Sequence, residues 1–307
     1  MSFGWYLYYC ASYGAVGGLL GWLLGRIFRI ENQTLLTAGI QGLVLGIALA
    51  VILVLVDLVF NASRWERFLA VPIGAFVGAV GGLLGGLVGQ AFYGWTQWSL
   101  FLLFGWTLTG VLIGTAPGLY GVVYAMAQGE EAVGPRRKLV NGVLGGSLGG
   151  FLGGLLFLAL LRGFALLLGD QADDLASPSL LGFLVLGLCI GLLIGLAQVI
   201  LREAWVTVEA GFRAGRQLIL SSAETTIGRQ EGCDIALFGD NTVQKQHARI
   251  RSEKGRYVLE NLDPASITYV NNREMKNPQI LRDGDRIQIG KAVLRFNEKA
   301  KPAAPSR

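Results

Sequence analysis

The chain divides near residue 203 into a long apolar part and a shorter part in which apolar and polar positions alternate. Six apolar runs in the first part each reach about 20 residues, the length that a helix needs to cross a bilayer. They cover residues 5–25, 35–60, 69–92, 98–126, 139–161 and 179–201. Asp57 and Arg162 bring charge near them, toward run ends where it is tolerated. The pattern predicts a polytopic α-helical membrane bundle at residues 1–203.

Glycines recur with a fixed spacing in the first, third and fifth runs. The set Gly14, Gly17, Gly18, Gly21 and Gly25 reappears at a constant offset as Gly78, Gly81, Gly82, Gly85 and Gly89, and then as Gly142, Gly145, Gly146, Gly149 and Gly153. The six runs therefore form three glycine-rich hairpin repeats. Close helix packing is the favoured role, because no ring of polar side chains accompanies the glycines. Lining of a pore or lipid groove is the alternative, and a glycine face left unpaired would support a homo-oligomer.

Basic residues between the runs predict the orientation of the bundle. Cytoplasmic loops carry an excess of Lys and Arg. One side of the predicted bundle carries Arg64, Arg67, Arg136, Arg137, Lys138 and Arg202, against Arg26, Arg29 and Arg162 on the other. Both termini are therefore expected in the cytoplasm, with the chain a multi-pass protein of the inner (plasma) membrane.

After residue 203 the chain alternates in short segments separated by turn formers such as "GFRAG" and "RDGD". Many short strands without a helical period predict a β-sandwich at 204–298, followed by a disordered tail at 299–307. Residues 1–203 carry as many basic as acidic side chains, so the net charge of +5 lies in this second part. Arg202, Arg213 and Arg216, close to the last run, are expected to contact the headgroups of membrane lipids.

Five motifs in order resemble the forkhead-associated (FHA) domain, a β-sandwich whose loops at one end bind phosphothreonine peptides. They are "IGR" at 227–229, "CDIAL" at 233–237, "HA" at 247–248, "TYVN" at 268–271 and "LRDGDRIQIG" at 281–290. The resemblance covers about a third of the chain. It implies a binding module rather than a catalytic one.

The resemblance implies a set of phosphopeptide-binding residues and a set of structural ones. The binding residues are Arg229, Gln244, Lys245, Ser266, Thr268 and Asn271, and the structural ones are Gly228 and His247. Charge-assisted hydrogen bonds from a guanidinium and a second cation suit a phosphate. His247, the one histidine of the chain, is expected to be a buried side chain that supports its loop.

Two positions depart from the pattern of the family. Gln244 stands where the family usually has a serine or threonine hydroxyl, and Ser266 stands where it commonly has an asparagine. Two predictions therefore stay open for these loops: binding of phosphothreonine, and a contact with a protein partner that needs no phosphate.

Enzyme motifs, metal-ligand spacings and paired catalytic side chains are absent from the sequence, so neither catalysis nor a cofactor nor a metal is expected. The basic residues of the second part are scattered without an aromatic platform, which argues against nucleic acid. The sequence predicts a membrane-anchored signalling or scaffold protein whose cytoplasmic FHA-like domain binds a phosphorylated or unphosphorylated protein. The alternative is a channel, transporter or lipid-handling bundle that this domain regulates.

Overall fold

The computed structural model places six long helices before a two-sheet β-sandwich. It describes residues 3–28, 33–61, 69–129, 133–168, 178–222, 224–253 and 255–299. The predicted tail, apart from Lys299, lies outside these ranges. The backbone N–H of Lys299 donates a hydrogen bond to the carbonyl of Glu203 (2.7 Å), which joins the end of the last strand to the start of the first.

Six helices in the described ranges are long and apolar enough to cross a membrane. They are α1 (Phe3–Ile27), α2 (Thr34–Asn61), α3 (Ala70–Thr96), α4 (Leu100–Gln128), α5 (Val133–Leu168) and α6 (Pro178–Ile200). Each overlaps one predicted run. The largest difference is at α5, which was predicted at 139–161, because the charged residues before Leu139 are helical as well.

Glycine faces join the helices into a closed ring, in which each helix packs against its neighbours in the chain and α6 packs against α1. At four of the six contacts, α2 with α3, α3 with α4, α4 with α5, and α6 with α1, glycine faces glycine. A Cβ on Gly46 would lie 2.9 Å from the carbonyl carbon of Gly78, and one on Gly142 equally close to that of Gly114. The backbones of these pairs therefore touch, and only glycine fits.

Large apolar side chains fill the space beside other glycines. Gly17 and Gly21 of α1 receive Leu49 and Leu45 of α2, and Gly81 of α3 receives Leu112 of α4. Gly149 of α5 instead faces the backbone of Ile190 of α6. The closest glycine contacts join one hairpin to the next rather than the two helices of one hairpin.

Large apolar side chains cover the outside of the odd helices, whereas the even helices form the interior. Exposed examples on the odd helices are Leu19, Leu23, Phe76, Leu84, Leu148 and Leu155. Leu49, Ile113 and Ile190, one from each even helix, are fully buried in a single apolar cluster. The exposed apolar belt is the surface that hydrocarbon would contact.

Asp57 on α2 is buried, and its carboxylate pairs with the ammonium of Lys138 on α5. The side-chain amide of Gln198 on α6 donates to the backbone carbonyl of Lys138 (2.8 Å). The pair keeps the charge compensated inside an apolar bundle, where an isolated charge would be costly.

The β-sandwich consists of a six-stranded sheet, in the order β2-β1-β11-β10-β7-β8, and a five-stranded sheet, in the order β4-β3-β5-β6-β9. Inward side chains of both sheets form one buried apolar core that includes Ile227, Leu259, Ile287 and Phe296. The strands are β1 (Ala204–Ala210), β2 (Gln217–Ile219), β3 (Glu224–Gly228), β4 (Ile235–Ala236), β5 (Ala248–Glu253), β6 (Arg256–Asn261), β7 (Thr268–Val270), β8 (Arg273–Glu274), β9 (Gln279–Ile280), β10 (Arg286–Ile289) and β11 (Ala292–Glu298).

Contacts at the junction dock the sandwich on the bundle. The guanidinium of Arg202 lies between the rings of Phe3 and Trp205, 4.2 Å from each ring centre. The backbone N–H of Phe3 donates to the side-chain carbonyl of Gln217 (3.1 Å). Arg137 at the start of α5 forms an ion pair with Glu203. Only three residues separate α6 from β1, so these contacts hold a short junction in one orientation.

Strand register fixes which end of the sandwich lies away from the bundle. Strand β1 starts at the junction, where Ala204 pairs with Glu298, and runs to Ala210, which pairs with Val293. At about 3.3 Å per residue this strand carries the far end roughly 20 Å from the junction. We call this far end the distal end and the junction end the proximal end.

Candidate functional site

The loops after β3 and before β5 meet at the distal end. The backbone N–H of Lys291, in the turn between β10 and β11, donates to the carboxylate of Asp240 (2.7 Å). The neighbouring Asn241 accepts a hydrogen bond from the guanidinium of Arg229 (3.1 Å). These bonds connect the distal turn of the six-stranded sheet with the loop that contacts Arg229. The predicted binding loops therefore point away from the helices.

Backbone hydrogen bonds place Arg229 beside Gln244. The N–H of Arg229 donates to the carbonyl of Gln244 (2.9 Å), and the N–H of Gln230 donates to that of Lys245 (3.1 Å). Gly228 makes this approach possible, because a Cβ there would lie 2.9 Å from the carbonyl carbon of Lys245. The two cations of the candidate site, Arg229 and Lys245, therefore come from segments that lie side by side.

His247 connects two of the loops from inside the domain and is 1% exposed. Its Nδ1 accepts a hydrogen bond from the backbone N–H of Gln244 (3.1 Å). Its Nε2 lies 3.2 Å from the carbonyl of Ile267. Because Nδ1 is an acceptor, the proton of the neutral ring is on Nε2 and is donated to Ile267. Burial lowers the pKa of His247, which favours this neutral form.

Arg229 and Lys245 are two cationic residues on these adjacent segments. Arg229 is half-buried, with Asn241 as the hydrogen-bond partner of its guanidinium, and Lys245 is exposed with no carboxylate of the described residues paired to it. Gln244 is half-buried. Two cations and one amide therefore lie on neighbouring segments, and such a donor set suits an anionic group.

Asn241 was not among the residues singled out from the sequence. Its neighbour Asp240 accepts hydrogen bonds from both the backbone N–H (3.0 Å) and the hydroxyl of Thr242 (2.7 Å). These bonds, with the one from Lys291, lower the pKa of Asp240 to about 2. The "DNT" run is a signal for such a self-bonded loop, because Asp commonly bonds the backbone two residues on.

Ser266 and Thr268, both predicted to contact a peptide, have side chains that point into the domain. Thr268 is fully buried, and its hydroxyl donates to the side-chain carbonyl of Asn261 (2.6 Å). Ser266 is 6% exposed, and its hydroxyl has no hydrogen-bond partner among the described residues. Ile267 between them is exposed instead. The link from this loop to the site is the hydrogen bond between His247 and the backbone carbonyl of Ile267.

Asn271, the last of the predicted binding residues, lies at the other end of β7. Its side-chain amide donates to the carboxylate of Asp285 (2.7 Å), and its side-chain carbonyl accepts from the backbone N–H of Arg286 (3.0 Å). Its φ of 50° is left-handed, which asparagine tolerates in a turn. The structure therefore separates Asn271 from Arg229, Gln244 and Lys245 and gives it a turn-forming position.

Comparison with known proteins agrees with this geometry. Residues 225–290 match the family model described as the FHA domain. The chain is 42% identical over 102 residues to an oxoglutarate dehydrogenase inhibitor of Corynebacterium efficiens, a match that covers 33% of this chain and 69% of the relative. The chain belongs to the FHA-domain family.

Other FHA-domain relatives match the same part of the chain. The glycogen accumulation regulator GarA of Mycolicibacterium smegmatis is 37% identical over 94 residues, with 31% of this chain and 58% of the relative covered. A solved structure from a study of phosphothreonine-dependent FHA domain interactions is 25% identical, with a TM-score of 0.29 and coverage of 32% of this chain and 99% of that one. The six helices lie outside the family match.

Proposed function

We propose that this protein is a membrane-anchored, non-catalytic interaction protein whose FHA domain binds a phosphorylated protein partner at its distal end. Helices α1–α6 would fix the domain to the cytoplasmic face of the inner membrane. There, serine/threonine kinases act and their products are accessible. Relatives of the FHA domain are named as an inhibitor and a regulator, which suits a binding rather than a catalytic role.

The observation that carries the proposal is the position of two cationic residues, the half-buried Arg229 and the exposed Lys245, on adjacent distal loops. His247 and the backbone bonds of Gln244 hold these loops in place before any ligand arrives. A preorganised loop costs less entropy to bind than a mobile one. Phosphothreonine offers three acceptor oxygens and a charge near −2, which such a donor set favours.

Gln244 replaces the hydroxyl that the family resemblance assigns to phosphate binding. Its side-chain amide can still donate to a phosphate oxygen, but it is longer and less compact than a serine. We therefore infer that phosphothreonine binds here, with lower affinity than the hydroxyl would allow. A contact with an unphosphorylated partner on the same loops is the alternative outcome.

The helices support an anchoring role more than a conduit. Leu49, Ile113 and Ile190 fill the interior of the bundle with apolar side chains. Every glycine of the repeated sets in α1, α3 and α5 faces another helix of the same chain. We therefore assign these faces to packing within one bundle rather than to a homo-oligomer.

A peptide library tests the proposal. The full chain in nanodiscs is titrated with phosphothreonine peptides and with the same peptides after dephosphorylation. Binding should require the phosphate and should be lost in Arg229→Ala. Arg273→Ala removes another exposed arginine, on β8, and should leave binding unchanged. Phosphate-independent binding that still needs Arg229 would support the alternative partner, and binding indifferent to Arg229 would reject this site.

A further inference from the structure

A basic groove lies at the proximal end of the sandwich, opposite the distal loops. It has a volume of about 520 Å³ and opens between the turn before β6, the segment after β9 and the end of β11. Arg256, Arg282 and Lys299 contribute its positive charges. This is a different surface from the candidate peptide site, and neither the family resemblance nor the proposed function uses it.

Contacts at the junction place the groove close to the ends of the helices. The ammonium of Lys299 donates to the backbone carbonyl of Ile200, the last residue of α6 (3.3 Å). On the neighbouring strand β6, Tyr257 lies in the interface beside Arg137 and Glu203, where burial, followed by the charge of Glu203, raises its pKa to about 12. The groove is therefore level with the ends of α5 and α6.

The docking contacts at the junction hold the groove level with the ends of α5 and α6. Arg202 stacks between one ring from α1 and one from the start of β1, and Arg137 joins α5 to the junction. If the helices span a bilayer, their ends lie in the headgroup layer. The groove is then presented to the same layer.

The charges of the groove suit an anionic headgroup. No carboxylate of the described residues forms an ion pair with Arg256, Arg282 or Lys299. Two acidic residues also line the groove: Asp283 accepts the backbone N–H of Glu298 (2.9 Å), and Glu298 is engaged in a further interaction. Ile280 is 49% exposed at the rim, where an apolar side chain can enter the interfacial region.

We propose that this groove binds the phosphate of an anionic phospholipid such as phosphatidylglycerol from the surrounding leaflet. Lys and Arg beside a membrane are attracted to the negative surface of an anionic leaflet. The three cations would thus fasten the proximal face of the FHA domain to lipid while the distal loops stay in solution. The inference rests on the membrane insertion that the proposed function includes.

The sequence predicts headgroup contact for Arg202, Arg213 and Arg216, and the structure keeps only Arg202 at the junction, where it lies between two rings. Arg213 stacks on Phe212 in the distal turn after β1. The backbone carbonyl of Arg216 accepts from Val208, which also lies away from the junction. Arg213 and Arg216 are close to the last helix in the chain but not in the fold, because β1 leads directly away from that helix.

Hydrogen–deuterium exchange of the full chain in nanodiscs tests the groove. Amides of residues 255–256 and 281–285 should be more protected in discs containing phosphatidylglycerol than in phosphatidylcholine discs. The variant Arg256→Gln/Arg282→Gln/Lys299→Gln should lose this difference. The charge-matched control Arg213→Gln/Arg273→Gln/Lys291→Gln should keep it.

Three results would overturn the inference. Equal protection in both lipids is the first, and a difference that survives in the groove variant is the second. The third is equal protection by soluble inorganic phosphate in phosphatidylcholine discs, which would make the groove a site for free anions. Exchange of helices α1–α6 is read in the same samples. If the helices are protected but protection of the groove does not depend on the lipid, only the lipid-binding proposal is rejected. If the helices are unprotected, the membrane anchoring is rejected as well.

Discussion

The Nδ1 atom of His247 accepts the backbone N–H of Gln244 at 3.1 Å, so the one histidine of the chain supports the residue in the middle of the candidate site. The bond exists only while Nδ1 carries no proton. Protonation would place two N–H groups against each other and would also bury a charge. The arrangement of the binding loop therefore depends on a neutral imidazole.

This dependence predicts an acid-sensitive domain. The pKa of His247 is lowered in the folded state, so the unfolded chain binds more protons once pH falls below its ordinary value of about 6.5. Stability should be fully present above about pH 6.5 and should decrease as pH falls from there toward the lowered pKa. Thermal unfolding of the wild type and of His247→Ala, followed across this range, checks it. The variant should be less stable at neutral pH and should lose this part of the pH dependence.

Two buried hydroxyls of one loop should respond in opposite ways to removal. Thr268→Val takes away the partner of Asn261 and should cost about 1–3 kcal/mol of folding free energy. Ser266→Ala removes a hydroxyl without a partner and should be neutral or stabilising by about 1 kcal/mol. Chemical denaturation of the two variants measures both. Equal destabilisation by the two changes would contradict the burial and bonding described here.

Packing of the glycine faces can be tested inside a single helix. Gly142 of α5 touches the backbone of Gly114, whereas Gly163 of α5 has nothing within 4 Å. Gly163→Ala should stabilise the bundle by up to about 1 kcal/mol through helix propensity. Gly142→Ala should destabilise it by about 1–3 kcal/mol, because the added methyl forces α4 and α5 apart. Thermal unfolding in detergent distinguishes the two. A stabilising effect of Gly142→Ala would contradict the close packing of α4 and α5 in the helix ring.

The junction should loosen when Arg202 is removed. Each cation–π contact contributes about 0.5–2 kcal/mol, and Arg202 makes two. Arg202→Ala should therefore speed cleavage of residues 201–204 by a protease of broad specificity. Arg213→Ala, which removes an arginine stacked on one ring of a distal turn, is the control and should leave the rate unchanged. Unchanged cleavage in Arg202→Ala would show that the stack does not hold the junction.

The helices were predictable because an apolar run of sufficient length is a local property of the sequence. The partner of each glycine face was not, because it depends on contacts between hairpins. The sequence identified the spacing that repeats in α1, α3 and α5 but could not tell that Gly46 meets Gly78 while Gly17 receives Leu49. The start of α5 was also missed, since Arg137 and Lys138 are helical residues that find acidic partners elsewhere in the fold.

For the candidate site, motif order predicted the loops better than it predicted the direction of each side chain. Arg229, Gln244 and Lys245 do lie together. Ser266 and Thr268 face inward because residues two apart on an extended segment share a side, which leaves Ile267 outside. Asn241 was missed because its role, orienting Arg229, arises from a contact across the loop.

The most direct measurement is the affinity of the full chain in nanodiscs for one phosphothreonine peptide, taken from the library, and for its unphosphorylated form. We predict at least about tenfold tighter binding of the phosphorylated form, or roughly 1.4 kcal/mol, and a wider gap in Gln244→Ser, which restores a compact hydroxyl. Equal affinity for the two forms, in the wild type and in Gln244→Ser alike, would contradict a phosphate-binding site built on Arg229.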